Sequence, residues 1–86
     1  MKLKKEFITY TSGGESLLVP TSEADFSGLV RGNRTFGEIL ALLKTETDEA
    51  SILAALRSKF DGPEAVIAAD VRTALEKLRE IGALEE

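Results

Sequence analysis

RGNRTFGEILALL, residues 31–43, is where the chain changes period. Before it, short runs of β-branched and aromatic residues stand between glycines and prolines. Within it, Phe36, Ile39, Leu40 and Leu43 recur at three and four, the spacing of one helix face. The junction of strand and helix therefore falls near Gly32, where glycine is expected to relieve backbone strain. Thr35 followed by Glu38 fits a capping box, with the hydroxyl taking one orphan N–H and the carboxylate reaching back for another. Asn33 competes for the same cap.

Upstream, EFITYT (6–11) and SLLVP (16–20) have strand composition, and Gly13-Gly14 between them suits a tight hairpin turn. Pro20 ends the second strand because it has no N–H for the ladder. FSGLVR (26–31) is a third strand candidate, weakened by Gly28. Downstream, Thr47-Asp48-Glu49 opens a second helix with an N-cap hydroxyl and early acids, and Ile52, Leu53, Leu56 and Phe60 form its apolar stripe. Asp61-Gly62 stops it. Pro63 suits the first position of a third helix carrying Ile67, Val71, Ala74, Leu75, Leu78 and Ile81, with Gly82 closing it. Ala83-Leu84 is placed to tuck back against the body. The order predicts one α+β domain over residues 1–86. It is winged-helix-like: a three-stranded antiparallel sheet followed by three helices.

Chemistry is limited by what is missing. The chain has no His and no Cys. That removes the commonest general bases, thiol nucleophiles and most zinc sites. The 15 acids scatter along helix faces rather than gather in a cleft. No enzyme, cofactor or metal is expected. No apolar run is long enough to span a membrane, and MKLKKEFITY lacks the apolar core of a signal peptide, so the expected compartment is the cytoplasm. Net charge is −4, and Lys2, Lys4 and Lys5, like Arg31 and Arg34, form only short basic clusters. Nucleic acid is disfavoured, because the second and third helices bear Asp48, Glu49, Glu64, Asp70, Glu76 and Glu80, which repel phosphate.

Binding remains. Phe26, Leu29 and Val30 make the third strand apolar up to Arg31. Two placements fit it. At a sheet edge it would offer unpaired backbone groups to a partner strand. Placed centrally, or covered by the third helix, it would not.

Three stretches carry a family resemblance: GLVRGNRTFGEILALL (28–43), TDEASILAALRSKFD (47–61) and ADVRTALEKLREIGAL (69–84). Asn33, Thr35, Ile39, Thr47, Ile52 and Phe60-Asp61 fall in the family's order, as do Asp70-Val71, Leu75, Leu78, Gly82 and Leu84. In this the chain resembles the PqqD family, recognition elements for ribosomally made, modified peptides. It departs at Gly32, where many relatives have Leu, and at Lys44-Thr45-Glu46, where many have Asp-Gly. The resemblance implies non-catalytic binding of a precursor's leader peptide as a strand added beside the third strand, against the third helix. The partner enzyme would be a radical S-adenosylmethionine protein or a cyclase/protease system. Carried over, Phe26, Ser27, Gly28, Leu29, Val30 and Arg31 would form the docking edge. Leu29 and Val30 point to opposite faces, so only one can line the groove. Asp70, Thr73 and Lys77 share a helix flank and would supply polar contacts. Alternatives are a winged-helix DNA-binding protein and a docking subunit of an enzyme complex. The chain would act as a monomer or as an edge-paired or swapped dimer.

Overall fold

The computed structural model describes residues 1–21 and 28–86. In chain order its elements are β1 (Lys2–Leu3), β2 (Phe7–Ser12), β3 (Glu15–Pro20), β4 (Val30–Gly32), α1 (Arg34–Leu42), α2 (Glu49–Lys59), α3 (Glu64–Glu80) and β5 (Leu84–Glu85). β2, β3 and β4 form an antiparallel sheet in that order, so β3 is central and β2 and β4 are its two edges. The α+β reading of the sequence holds, with three helices and a three-stranded sheet.

The β2–β3 turn follows from its two glycines. Gly13 and Gly14 have φ of 57° and 82°, the pair of positive values that a two-residue type I′ loop requires. That loop sets Ser12 opposite Glu15 and fixes the register: Tyr10 faces Leu17 and Thr9 faces Leu18. Hydrogen-bonded and non-bonded pairs alternate in an antiparallel ladder. Counting from the loop, Ile8 and Tyr10 bond to β3, while Thr9 and Thr11 turn their backbone groups outward. On the other side, Ser16 and Leu18 pair with Gly32 and Val30. Arg31 is thereby left with its N–H and C=O facing away from the sheet.

The third strand is shorter than the sequence reading placed it, covering Val30–Gly32 rather than beginning at residue 26. Two causes coincide. The next residue of β3 in the bonding series is Pro20, which has no N–H to give opposite position 28. Gly28 itself sits at φ 135°, outside strand conformation. Phe26 and Ser27 lie outside the described residues.

The helix starts also differ in detail. Asn33, not Thr35, caps α1: its Oδ1 accepts from the Phe36 N–H at 3.0 Å. Glu38 does not complete a capping box but pairs with Lys59 at 2.7 Å, tying α1 to the end of α2. Asp48, not Thr47, caps α2 and accepts from the Ser51 N–H at 2.7 Å. Those hydrogen bonds from Ser51 hold the Asp48 carboxyl below its ordinary pKa. Pro63 stands one position before α3. Beyond α3, the Gly82 N–H donates to the Arg79 carbonyl and the Ala83 N–H to the Leu78 carbonyl, the paired bonds of a Schellman ending. Asn33→Ala is expected to cost about 1 kcal/mol, as for a typical N-cap, while Thr35→Ala costs much less; urea unfolding of the two variants checks the assignment.

One core serves sheet and helices. Leu18 from β3, Ile39 and Leu40 from α1, Ile52 and Leu56 from α2, and Val71, Leu75 and Leu78 from α3 are almost completely buried. The two chain ends close it. β1 pairs with β5, setting Lys2 opposite Glu85 and Leu3 opposite Leu84. The Leu3 N–H donates to the Leu43 carbonyl at 2.8 Å, and the Lys4 N–H to the Ala83 carbonyl at 2.8 Å. Ala83 and Leu84 thus do tuck back. Their partner strand near the N-terminus has no local signal in the sequence. Among the described residues, no helix is long and apolar enough to cross a membrane.

Candidate functional site

β4 and α3 each lend residues to one surface depression. Between them runs a groove of about 330 Å³. Its position follows from the fold: β4 is an edge strand three residues long, and α3 passes beside it with the α1 N-terminus closing one end. The apolar lining comes from Val30, Phe36, Ile39 and Ala74. Phe36 and Ile39 reach it because α1 begins immediately after β4, placing its first turn beneath the strand.

α3 supplies the polar flank. Asp70, Thr73 and Lys77 all line the groove and are exposed. At 1.5 Å per residue, the seven-residue step from Asp70 to Lys77 spans about 10 Å. The groove therefore has an anionic and a cationic position two turns apart, with a hydroxyl between. Neither charge belongs to an ion pair among the described residues.

Of the nine residues named from the sequence, Val30, Arg31, Asp70, Thr73 and Lys77 come together here. The choice between Leu29 and Val30 resolves geometrically: Val30 lines the groove, whereas Leu29 is 49% exposed and not among its lining residues. Gly28 is likewise outside the lining, and Phe26 and Ser27 fall outside the described residues. Arg34, the second basic residue near the strand, lies over the Phe60 ring at 5.8 Å, a cation–π contact away from the groove. Phe36, Ile39 and Ala74 were read from the sequence only as core. Their spacing carried no further signal, since one stripe of α1 faces both core and groove.

Gly32 decides the shape of one wall. A Cβ at this position would overlap the Phe36 ring, so the ring lies directly against the β4 backbone. The arrangement offers three things to a ligand: outward backbone groups at Arg31, an apolar floor and two separated charges.

The family described as Coenzyme PQQ synthesis protein D (PqqD) matches residues 17–84, a span that holds both walls of this groove. The chain belongs to the PqqD family. No curated protein matches it in sequence. A solved structure described as TbiB1 in complex with the TbiA(beta) leader peptide is similar in fold, with a TM-score of 0.78 and 18% sequence identity. The likeness covers 99% of this chain and 95% of that one. This PqqD-family chain thus shares its whole architecture with that protein, from β1 through β5.

Proposed function

We propose that this protein binds the leader segment of a ribosomally made precursor peptide as an additional strand along β4, and presents it to a separate modifying enzyme without catalysing a reaction itself. The observation that carries the reading is the edge of β4 at Arg31, unpaired among the described residues and set beside an apolar groove in a member of the PqqD family. The fold shared with a protein described in complex with a leader peptide supports it. A radical S-adenosylmethionine protein or a cyclase/protease system fits as the enzyme, and the cytoplasm as the compartment.

The physics divides affinity from selectivity. Backbone bonds to Arg31 take any extended sequence except one with proline at the pairing position. Side chains of an added strand alternate. Those flanking the partner of Arg31 enter the groove, over Val30, Phe36 and Ala74. Two apolar leader residues spaced by one are therefore favoured. A basic residue toward Asp70 and an acidic one toward Lys77 complete the fit.

The test is an NMR titration of ¹⁵N-labelled protein with leader peptides encoded beside its gene. Shifts are expected along Val30–Gly32 and residues 70–77. Arg31→Pro separates strand addition from simple groove filling. Its N–H faces away from β3, so the substitution leaves the β3–β4 ladder bonds in place. We expect binding about tenfold weaker or worse, a loss of roughly 1.4 kcal/mol, with an unchanged melting temperature. Arg31→Ala, which removes the charge but keeps the N–H, should bind within a few-fold of wild type. Wild-type affinity in Arg31→Pro would sink the strand-addition reading.

A further inference from the structure

Among the described residues the sheet has a second open edge, β2, and it too borders a depression. This one, about 490 Å³ in volume, lies between β2 and the small β1–β5 sheet. Lys2, Lys4, Lys5 and Lys44 surround it, and Phe7 and Ile8 supply apolar wall. Glu85 is the one acid among the lining residues. None of the four lysines belongs to an ion pair among the described residues, although the chain as a whole carries a net charge of −4. Lysines brought together from the N-terminal segment and the α1–α2 connection repel one another, and an anionic occupant would relieve that repulsion.

The edge beside them has the right polarity for a strand. Thr9 and Thr11 turn their N–H and C=O groups outward, and Thr9 lines the depression. Ile8 is 44% exposed next to it. β2 has no proline and no charged side chain to blunt the edge. Lys2, Lys4, Lys5 and β2 precede the residues that match the PqqD family, Lys44 lies within them, and none of this lining is shared with the groove beside β4.

We propose that the β2 edge is a second strand-accepting site, selective for an acidic extended segment of a partner protein. The backbone of Thr9 and Thr11 pairs with that segment, and its carboxylates meet the lysine ring. Charge selects this occupant over a second copy of the chain. Pairing of two β2 edges would bring two lysine sets together, and like charges across an interface oppose association. The proposal is independent of the leader-binding groove: a protein loaded at β4 still presents its β2 edge on the far side of the sheet.

The probe is a blocked peptide of alternating glutamate and valine, titrated into the ¹⁵N-labelled full chain, with a glutamine–valine peptide as the neutral control. Shifts are expected at Lys2, Lys4, Lys5, Phe7–Thr9 and Lys44, falling away with added salt. Lys2→Gln, Lys4→Gln, Lys5→Gln and Lys44→Gln together should weaken binding about tenfold or more and leave the β4 groove resonances unmoved. Thr9→Pro should also abolish binding; its N–H points off the edge, so the hairpin keeps its bonds. The idea is overturned by shifts confined to the β4–α3 groove, by equal response to both peptides, or by no shift at all. It is likewise overturned if the four-lysine variant or Thr9→Pro binds normally, or if the chain is already a dimer through β2.

Discussion

Leu18→Ala is expected to remove about 2–5 kcal/mol of stability, the usual cost of a large-to-small change in a closed core. Leu18 is fully buried at the centre of β3, paired with Thr9 on one side and Val30 on the other. No neighbouring side chain can collapse easily into its place, because sheet positions are fixed by ladders on both sides. Domains of this kind hold about 5–15 kcal/mol in total, so the variant should unfold at a much lower urea concentration. The effect also reaches the proposed function. β4 is held by its register with β3 and by the Phe36 ring against its backbone, and Val30 sits opposite the vacated position. Leader affinity should fall along with stability. Val19→Ala is the control: half-buried on the outer face of the same strand, it should cost less than about 1 kcal/mol. A Leu18→Ala loss no larger than that of Val19→Ala would show that β3 is not the keystone of the core.

What the sequence announced, and what it concealed, divides by range. The apolar stripes of α1, α2 and α3 were legible because a helix face is a local pattern. The hairpin was legible because Gly13-Gly14 states its turn type directly. The caps were misplaced by one or two residues for a reason outside the local window. Glu38 fits a capping box on paper, yet Lys59, 21 residues later, holds its carboxylate. With β4 running to Gly32, Asn33 becomes the last extended residue, at φ −81° and ψ −172°, and takes the cap. The β1–β5 pairing joins the two ends of the chain through strands two residues long. Such strands have no period to read. The start of β4 has no local signal, because its limit is imposed from across the sheet by Pro20. At the candidate site, Asp70, Thr73 and Lys77 were readable as a helix flank. Phe36 and Ile39 were not separable from the core, since one apolar stripe serves two neighbours.

Gly32→Leu tests whether positions 32 and 36 share one volume at the wall of that groove. The residue before Asn33 is Leu in many chains that this sequence resembles, whereas here it is Gly32, and the Phe36 ring lies where its Cβ would be. Position 32 and position 36 thus compete for one volume. Gly32→Leu alone forces the ring aside and should cost about 1–3 kcal/mol by overpacking. Phe36→Ala alone empties the same volume and should cost about 3 kcal/mol or more. Together the two changes exchange a ring for an aliphatic side chain, and the double variant should be more stable than the sum of the single losses predicts. A coupling of about 1–3 kcal/mol is expected for residues in direct contact, read from urea unfolding of the four proteins. Additive losses would mean that the ring has room to move and that the wall is not a shared volume. Coupling would carry a functional consequence. The groove's end wall in this chain is an aromatic face rather than a branched aliphatic one, so the double variant should keep a folded β4 edge while changing which leader side chain it accepts.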